Sequence, residues 1–429
     1  MNADRVFIKC AWRLVPFMVL LYVAFFLDRV NVGFAALTMN KDLDFSPSAY
    51  GFGAGLLFIG FSAFSIPSSV IMERLGARRW LFATLMIWGA LSASTAFVRT
   101  PAGFYALRFL LGVAEAGFVP GMVFYLSYWF PKAYRMQFTA AFLIAQPVAF
   151  VIGAPISGLT LELDGALSLH GWQWLFLVEG LPSCVLAVAA LVLLSDRPAH
   201  AAWLSDAEKR SIAERLSADE PVEHSDLWRA LGDARVIALG FVNFGVFIGL
   251  SGITLWLPLI VQAMGYSNLA TSFMVAVPFA AAIVAMILWG RSSDRRGELF
   301  WHVALPLFVT AAGFAMASFA ASDWVALVGL SLAVTGIYPA LSPLIGLPSS
   351  FLGGAAGAGG TALIYAVGGV GAFLGPAAIG YLKQATGTYS AAMGFCALAM
   401  VFAALLVLGV GRAMGAGRAP VHPETRRSA

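Results

Sequence analysis

The sequence predicts an all-α membrane protein: twelve transmembrane helices arranged as two pseudo-symmetric six-helix bundles. Three observations carry that prediction. The 429-residue chain is 60% hydrophobic and 11% charged, against roughly 25% charged in an ordinary soluble domain. Apolar runs long enough to cross a bilayer recur along its whole length, and in hydrocarbon runs of this length satisfy their backbone as helices. A short polar-loop signature occurs twice, at equivalent places in the two halves.

The spans are expected at 14–38, 49–71, 80–98, 102–127, 137–161 and 174–195, then at 236–262, 270–290, 302–321, 324–347, 354–382 and 388–411. The first run holds Asp28 and Arg29 and lacks a plausible cleavage site, so it is read as a span and not as a signal peptide. Residues 196–235 are charged and polar, with one amphipathic stretch around 205–216. They are read as a solvated cytoplasmic linker on the membrane surface. It separates an N-terminal bundle, 1–195, from a C-terminal bundle and cytoplasmic tail, 236–429.

Basic residues set the direction. Of the 26 Lys and Arg residues, Lys41, Arg99 and Lys383 fall in the loops read as external, and Arg29 and Arg108 fall inside spans. The rest lie on the other side, which places both termini in the cytoplasm. The net charge of +4 thus reports topology and gives no reason to invoke nucleic acid. The three cysteines, Cys10, Cys184 and Cys396, lie in or beside apolar segments with no metal-ligand spacing and are read as small hydrophobes.

The repeated signature is "SVIMERLGARRW" after the second span and "GRSSDRRGE" after the eighth. Glu73, Arg74, Gly76 and Arg78 stand in the first copy, and Asp294, Arg295 and Gly297 in the second. Each is an acid, an Arg, any residue and a Gly. Glycine permits the tight reversal, and the acid can face a helix N-terminus or a neighbouring Arg. Two copies at equivalent loops indicate a duplicated six-span unit.

This pattern resembles the major facilitator superfamily, whose halves each carry the loop signature. The first copy departs from it at Ser69, where a glycine is usual, and at Glu73, where aspartate is usual. More narrowly, "FLDRVNVGFAALTMNKDL", "RFLLGVAEAGFVPGMVFYLSYWFP", "GWQWLFLVEG" and "ILWGRSSDRRGE" resemble the anion:cation symporter family. That family includes bacterial permeases for phthalate, tartrate, hydroxyphenylacetate and sugar acids. The resemblance covers essentially the whole chain and implies the major facilitator fold in a bacterial-type inner membrane.

Ionisable residues within spans are costly and are functional candidates by default. Here they are Asp28 and Arg29 in the first span, Arg108 and Glu115 in the fourth, and Glu179 near the outer end of the sixth, which is read as structural. Arg108 and Glu115 are seven steps apart, which returns them to nearly one helical face roughly 10 Å along the axis. Arginine stays charged and can grip a carboxylate with two parallel hydrogen bonds, whereas a buried carboxyl can gain or lose a proton. Asp28 and Arg29 are therefore expected to divide proton switching and anion binding at one point in a central cavity.

The resemblance implies the same division, with Asp28 and Glu115 as proton-coupling acids and Arg29 and Arg108 as substrate-binding or gating arginines. It makes Gln146 a polar substrate contact or an interhelical hydrogen bond. Family members often carry tyrosine where Phe26 and Phe61 stand, glutamate at Ser65, and asparagines where Tyr365 and Gly369 stand. Fewer hydroxyl and amide partners favour an aromatic or modestly hydroxylated carboxylate over a sugar acid, although Gln146 argues the other way.

The expected activity is proton-coupled import of a small organic anion by alternating access. A facilitator or anion exchanger would not need the acids to titrate. A membrane sensor would carry a larger output domain, and an enzyme a nucleophile–base set or metal ligands, of which the sequence offers none. Expected partners are the organic anion, the co-transported proton and the lipid bilayer, with no bound cofactor and the monomer as working unit.

Overall fold

The computed structural model describes residues 3–217, 232–352 and 354–414. Arg229 of the linker and Arg418, Arg426 and Arg427 of the tail, all used in the charge reading, lie outside these residues. Among the described residues there is no β-strand, and eleven helical segments are long and apolar enough to cross a membrane. The twelfth is α3 (Ala77–Thr95), whose apolar run is diluted by Arg78 and Arg79 and by Thr84, Ser92 and Thr95.

The N-terminal set begins with α1 (Ala3–Asp42), α2 (Pro47–Leu75) and α3. Ser46 caps α2 by accepting the Ala49 N–H at 3.1 Å, and Pro47 occupies the first turn, where its missing N–H costs nothing. The fourth span starts likewise, with Thr100 accepting the Gly103 N–H at 3.2 Å ahead of Pro101. It is interrupted directly after Glu115, giving α4 (Pro101–Glu115) and α5 (Phe118–Trp129). Pro120 has no N–H for the Ala116 carbonyl, and the Trp80 indole donates to the Gly117 carbonyl at 3.0 Å. A side chain at Gly117 would sit 2.2 Å from that indole. The set ends with α6 (Lys132–Leu161) and α7 (Gly171–Leu193).

The chain folds into two compact units. The first contains Met1–Val222, Ser251–Ala280 and Ala372–Tyr389. Its core is aromatic, with Phe25, Trp88 and Phe118 in mutual ring contact. Helices α2 and α4 meet backbone to backbone: a Cβ on Gly112 would lie 2.0 Å from the Leu57 carbonyl oxygen, so only glycine fits. The unit also holds parts of α9 (Ala234–Gln262), α10 (Asn268–Arg296) and α13 (Gly354–Thr386). Their contacts are specific: Tyr50 donates to the Leu255 carbonyl at 3.0 Å, Trp256 to the Pro376 carbonyl at 3.1 Å, and Gln262 to the Leu37 carbonyl at 3.2 Å.

The second unit contains Glu223–Leu250, Ala281–Gly371 and Ser390–Ala429. Helices α11 (Phe300–Ser318), α12 (Asp323–Gly346) and α14 (Ser390–Ala413) belong to it. Gly313 and Gly329 bring α11 and α12 into backbone contact, and Asn243 donates to the Ile364 carbonyl at 3.2 Å.

The amphipathic stretch forms α8 (Asp206–Ser217), but this first part of the linker is not a free surface strand. Ala201, Leu204 and Ile212 are buried, and the Trp203 ring stacks on Trp129 at 5.5 Å. Lys9 holds Glu208 at 2.9 Å, and Tyr125 donates to the Ser195 carbonyl at 2.9 Å. The few apolar residues in a polar segment find the exposed end of the first unit's core, which offsets the entropy of ordering the strap.

Candidate functional site

The four charged residues of the first and fourth spans all lie in the first unit, but Asp28 and Arg29 do not meet at one point. Neighbours on a helix project about 100° apart. Asp28 turns into the bundle and is fully buried. Its Oδ1 accepts from Asn31 at 3.0 Å and from the Ser92 hydroxyl of α3. Arg29 turns toward α4, where its Nε lies 2.7 Å from Glu115 Oε2. The guanidinium is bracketed by rings, with Cζ 4.2 Å from the Phe25 centroid, 4.7 Å from Phe61 and 5.9 Å from Phe58. Such rings stabilise a cation without neutralising it.

Glu115 thus pairs with Arg29 across two helices, while Arg108 shares its helical face. Arg108 is only 1% exposed, and its Nε and Nη1 have no hydrogen-bond partner. Arg29 Nη2 is likewise unmatched, as are Glu115 Oε1 and Asp28 Oδ2. Buried polar groups are normally paired, so a cluster of orphaned donors and acceptors asks for a reason. Here three guanidinium nitrogens, one on Arg29 and two on Arg108, have no partner, and both arginines lie in the first unit. That arrangement can receive a carboxylate.

The remaining predicted residues are dispersed. Phe61 joins the Arg29 ring cage, and Phe26 packs on Tyr22 and Phe25 instead. Ser65 bonds its own helix at the Phe61 carbonyl. Gln146 is partly buried on α6. Tyr365, in the second unit, is half-exposed.

The loop signatures make the turns that the sequence predicts, with Gly76 at φ 81° and Gly297 at φ 61°. The capping acids are different ones. Asp196, at the end of α7, accepts the Arg78 N–H at 3.1 Å, and the Arg78 guanidinium also donates to the Leu191 carbonyl. In the second copy Glu298 accepts the N–H groups of Trp301 and His302 at 2.8 and 3.1 Å, capping α11. Glu73, Arg74, Asp294 and Arg295 are exposed. An acid at a helix start is a readable signal for Glu298; Asp196 is brought in by tertiary packing alone.

One further residue, Ser92, escaped sequence reasoning. It is the partner of Asp28, and nothing in a run of small residues on α3 marks it. Glu179, read from sequence as structural, is buried, and its Oε1 accepts from Ser157 of α6 at 2.9 Å. Among the described residues no group of three or more His, Cys, Asp or Glu side chains could hold a metal ion.

A fold of this kind, with paired loop signatures and charges buried between spans, defines a membrane carrier, and comparison with known proteins names its class. Residues 18–376 match the family model described as Major Facilitator Superfamily, and the chain belongs to that superfamily. It is 44% identical, over 100% of both chains, to a protein of Agrobacterium vitis named a putative tartrate transporter. It is 38% identical to the putative metabolite transport protein NicT of Pseudomonas putida, over 94% of this chain and 93% of that one. The structure is similar to the crystal structure of a bacterial homologue of the human lysosomal transporter Spinster in an inward-facing conformation. That match has a TM-score of 0.76 at 16% identity and covers 95% of this chain and 98% of the other, which speaks for the fold. The protein is accordingly a multi-pass membrane transporter and not an enzyme.

Proposed function

We propose that the protein is a symporter that brings a small organic anion into the cell together with protons, by alternating access. The observation that carries this reading is the Arg29–Glu115 pair beside Arg108. One buried acid holds one arginine by a single Nε contact of 2.7 Å, and further guanidinium N–H groups on both arginines remain unmatched. Protonating Glu115 removes the charge that holds Arg29. The freed guanidinium and Arg108 then bind the substrate carboxylate, and its arrival offsets the lost ion pair. Breaking a buried pair without such a replacement costs about 3–5 kcal/mol. The substrate therefore binds best to the protonated carrier, and only such a difference in affinity lets binding bias the conformational equilibrium. Asp28, in its separate pocket of Asn31 and Ser92, is the second proton site.

The cage of Phe25, Phe58 and Phe61 and the tartrate relative together favour a small aromatic or modestly hydroxylated carboxylate. Phe26 and Gln146 of the first unit are assigned to its remaining contacts. The loops around Gly76 and Gly297 are assigned to gating, on the cytoplasmic side of a bacterial inner membrane with both termini inside and the monomer as transporting unit. The test is uptake into proteoliposomes from a panel of labelled carboxylates headed by L-tartrate, with and without an imposed pH gradient. Accumulation that rises with an inward proton gradient is the expected result; equilibration indifferent to the gradient would leave a facilitator or exchanger.

A further inference from the structure

A third carboxyl lies inside the first unit, outside the arginine cluster. Glu179 of α7 is 8% exposed; Oε1 accepts from Ser157, and Oε2 is buried with no partner. No arginine or lysine pairs with it among the described residues. Helix α7 packs against α1, α3 and α6. From α1 the ionisable group acting on it is Asp28, of like charge; α6 presents the Ser157 hydroxyl. Against α3 the contact is close: a Cβ on Gly180 would lie 3.1 Å from Ser92 Cβ. Ser92 in turn donates to Asp28, so Glu179 sits beside the seam that holds the Asp28 carboxyl. One turn along α7, on the same face, the buried Ser183 hydroxyl is also without a partner.

We propose that Glu179 holds a proton and passes it to Asp28, as the outermost step of a proton path within the N-terminal helices. An isolated buried carboxylate is penalised so heavily that the group neutralises instead, and among the described residues no cation pairs with Glu179 to offset that penalty. Position suits the role. In the topology read from the basic residues, α7 starts at its outer end with Gly171, about 12 Å along the helix from Glu179. In the step itself the O–H proton leaves Glu179 and arrives on the unpartnered Asp28 Oδ2. Glu179 is left as a carboxylate and is reprotonated from the outer aqueous phase. Ser92 and Ser183 are the hydroxyls placed to line that path. This inference rests on the proton-coupled reading above for its transport consequence, but not for the protonation of Glu179.

Two measurements on the full-length protein separate these. The first is the infrared difference spectrum of wild type minus Glu179→Gln in membranes near neutral pH, without substrate. A protonated-carboxyl C=O band, lost in the variant and shifted in D2O, is expected; loss of carboxylate bands instead would overturn the proposal. If Glu179→Gln does not reach the membrane, pH titration of the wild-type band against Glu179→Asp decides the same point. The second is the ratio of pH-driven accumulation to counterflow, with L-tartrate as probe. Glu179→Gln is expected to lower that ratio about tenfold, an ordinary size for coupling between two sites, and Glu179→Asp to recover part of it. A glutamine amide can still bond Ser157, so an unchanged ratio means a purely structural hydrogen bond and sinks the relay. If wild type shows no pH-driven accumulation of any carboxylate, symport fails while the infrared result still judges the protonation of Glu179.

Discussion

Arg29 Nε lies 2.7 Å from Glu115 Oε2, joining α1 to α4 across 86 residues of sequence. This contact ends at the carboxyl that immediately precedes the break between α4 and α5. A change in the charge of Glu115 is therefore delivered both to the arginine of another helix and to a point where the span is already discontinuous.

The arginines should not tolerate lysine. Arg29→Lys and Arg108→Lys keep the charge and lose the planar fork. Each forfeits at least one charge-assisted hydrogen bond, about 1.5–3 kcal/mol, so half-saturation of uptake should rise about tenfold or more. Normal uptake by both variants would rule out an arginine clamp.

The acids should separate binding from coupling. Glu115→Gln imitates a permanently protonated acid, so it should bind the carboxylate but fail to concentrate it under a pH gradient. Asp28→Asn should lower accumulation as well. Proton-driven uptake and counterflow in the same proteoliposomes make the comparison. If both variants concentrate substrate as wild type does, neither acid couples the proton.

Stability should depend on the α2–α4 approach. A Cβ at Gly112 would meet the Leu57 carbonyl oxygen at 2.0 Å, and that oxygen belongs to backbone that cannot swing aside. Gly112→Val should destabilise by about 1–3 kcal/mol, seen as a lower melting temperature in detergent. Gly290, in α10, has open space around it, and Gly290→Ala should be neutral or slightly stabilising.

Docking of the linker should weaken in acid. The Ser205 N–H, followed by the Lys9 ammonium, holds the Glu208 carboxyl below its ordinary range. A carboxyl lowered in the folded state adds stability above its unfolded value of about 4.3, and that stability is lost as pH falls through the lowered value. Amide protection in α8 should therefore differ between wild type and Glu208→Gln at pH 7, and the difference should vanish in acid. Salt should reduce it too, because the Lys9 side chain is nearly half-exposed. Equal protection in both proteins at pH 7 would show that Trp203 and Ile212 hold the strap alone.

The sequence by itself determined the helical spans, the duplicated loops and the identity of the buried charges. Those properties are local. Hydropathy over a window fixes where a span lies, the acid–Arg–x–Gly string turns at its glycine in both copies, and a charge in an apolar run is visible without knowing its partner. The divergence of Asp28 and Arg29, expected from the sequence to meet at one point, is what 100° per residue produces. The tertiary structure alone decided which groups meet. Glu115 takes Arg29 in place of the arginine on its own helix, Asp28 takes Ser92, and Asp196 caps a turn 118 residues away at Arg78. It likewise gave Glu179 the Ser157 hydroxyl as its partner and laid Trp203 on Trp129. Partner choice depends on how each helix is rotated and how closely its neighbours approach. Those quantities are set by the packing of all the helices at once, through close approaches such as Gly112 against Leu57 and Gly180 against Ser92, and no window of sequence contains them.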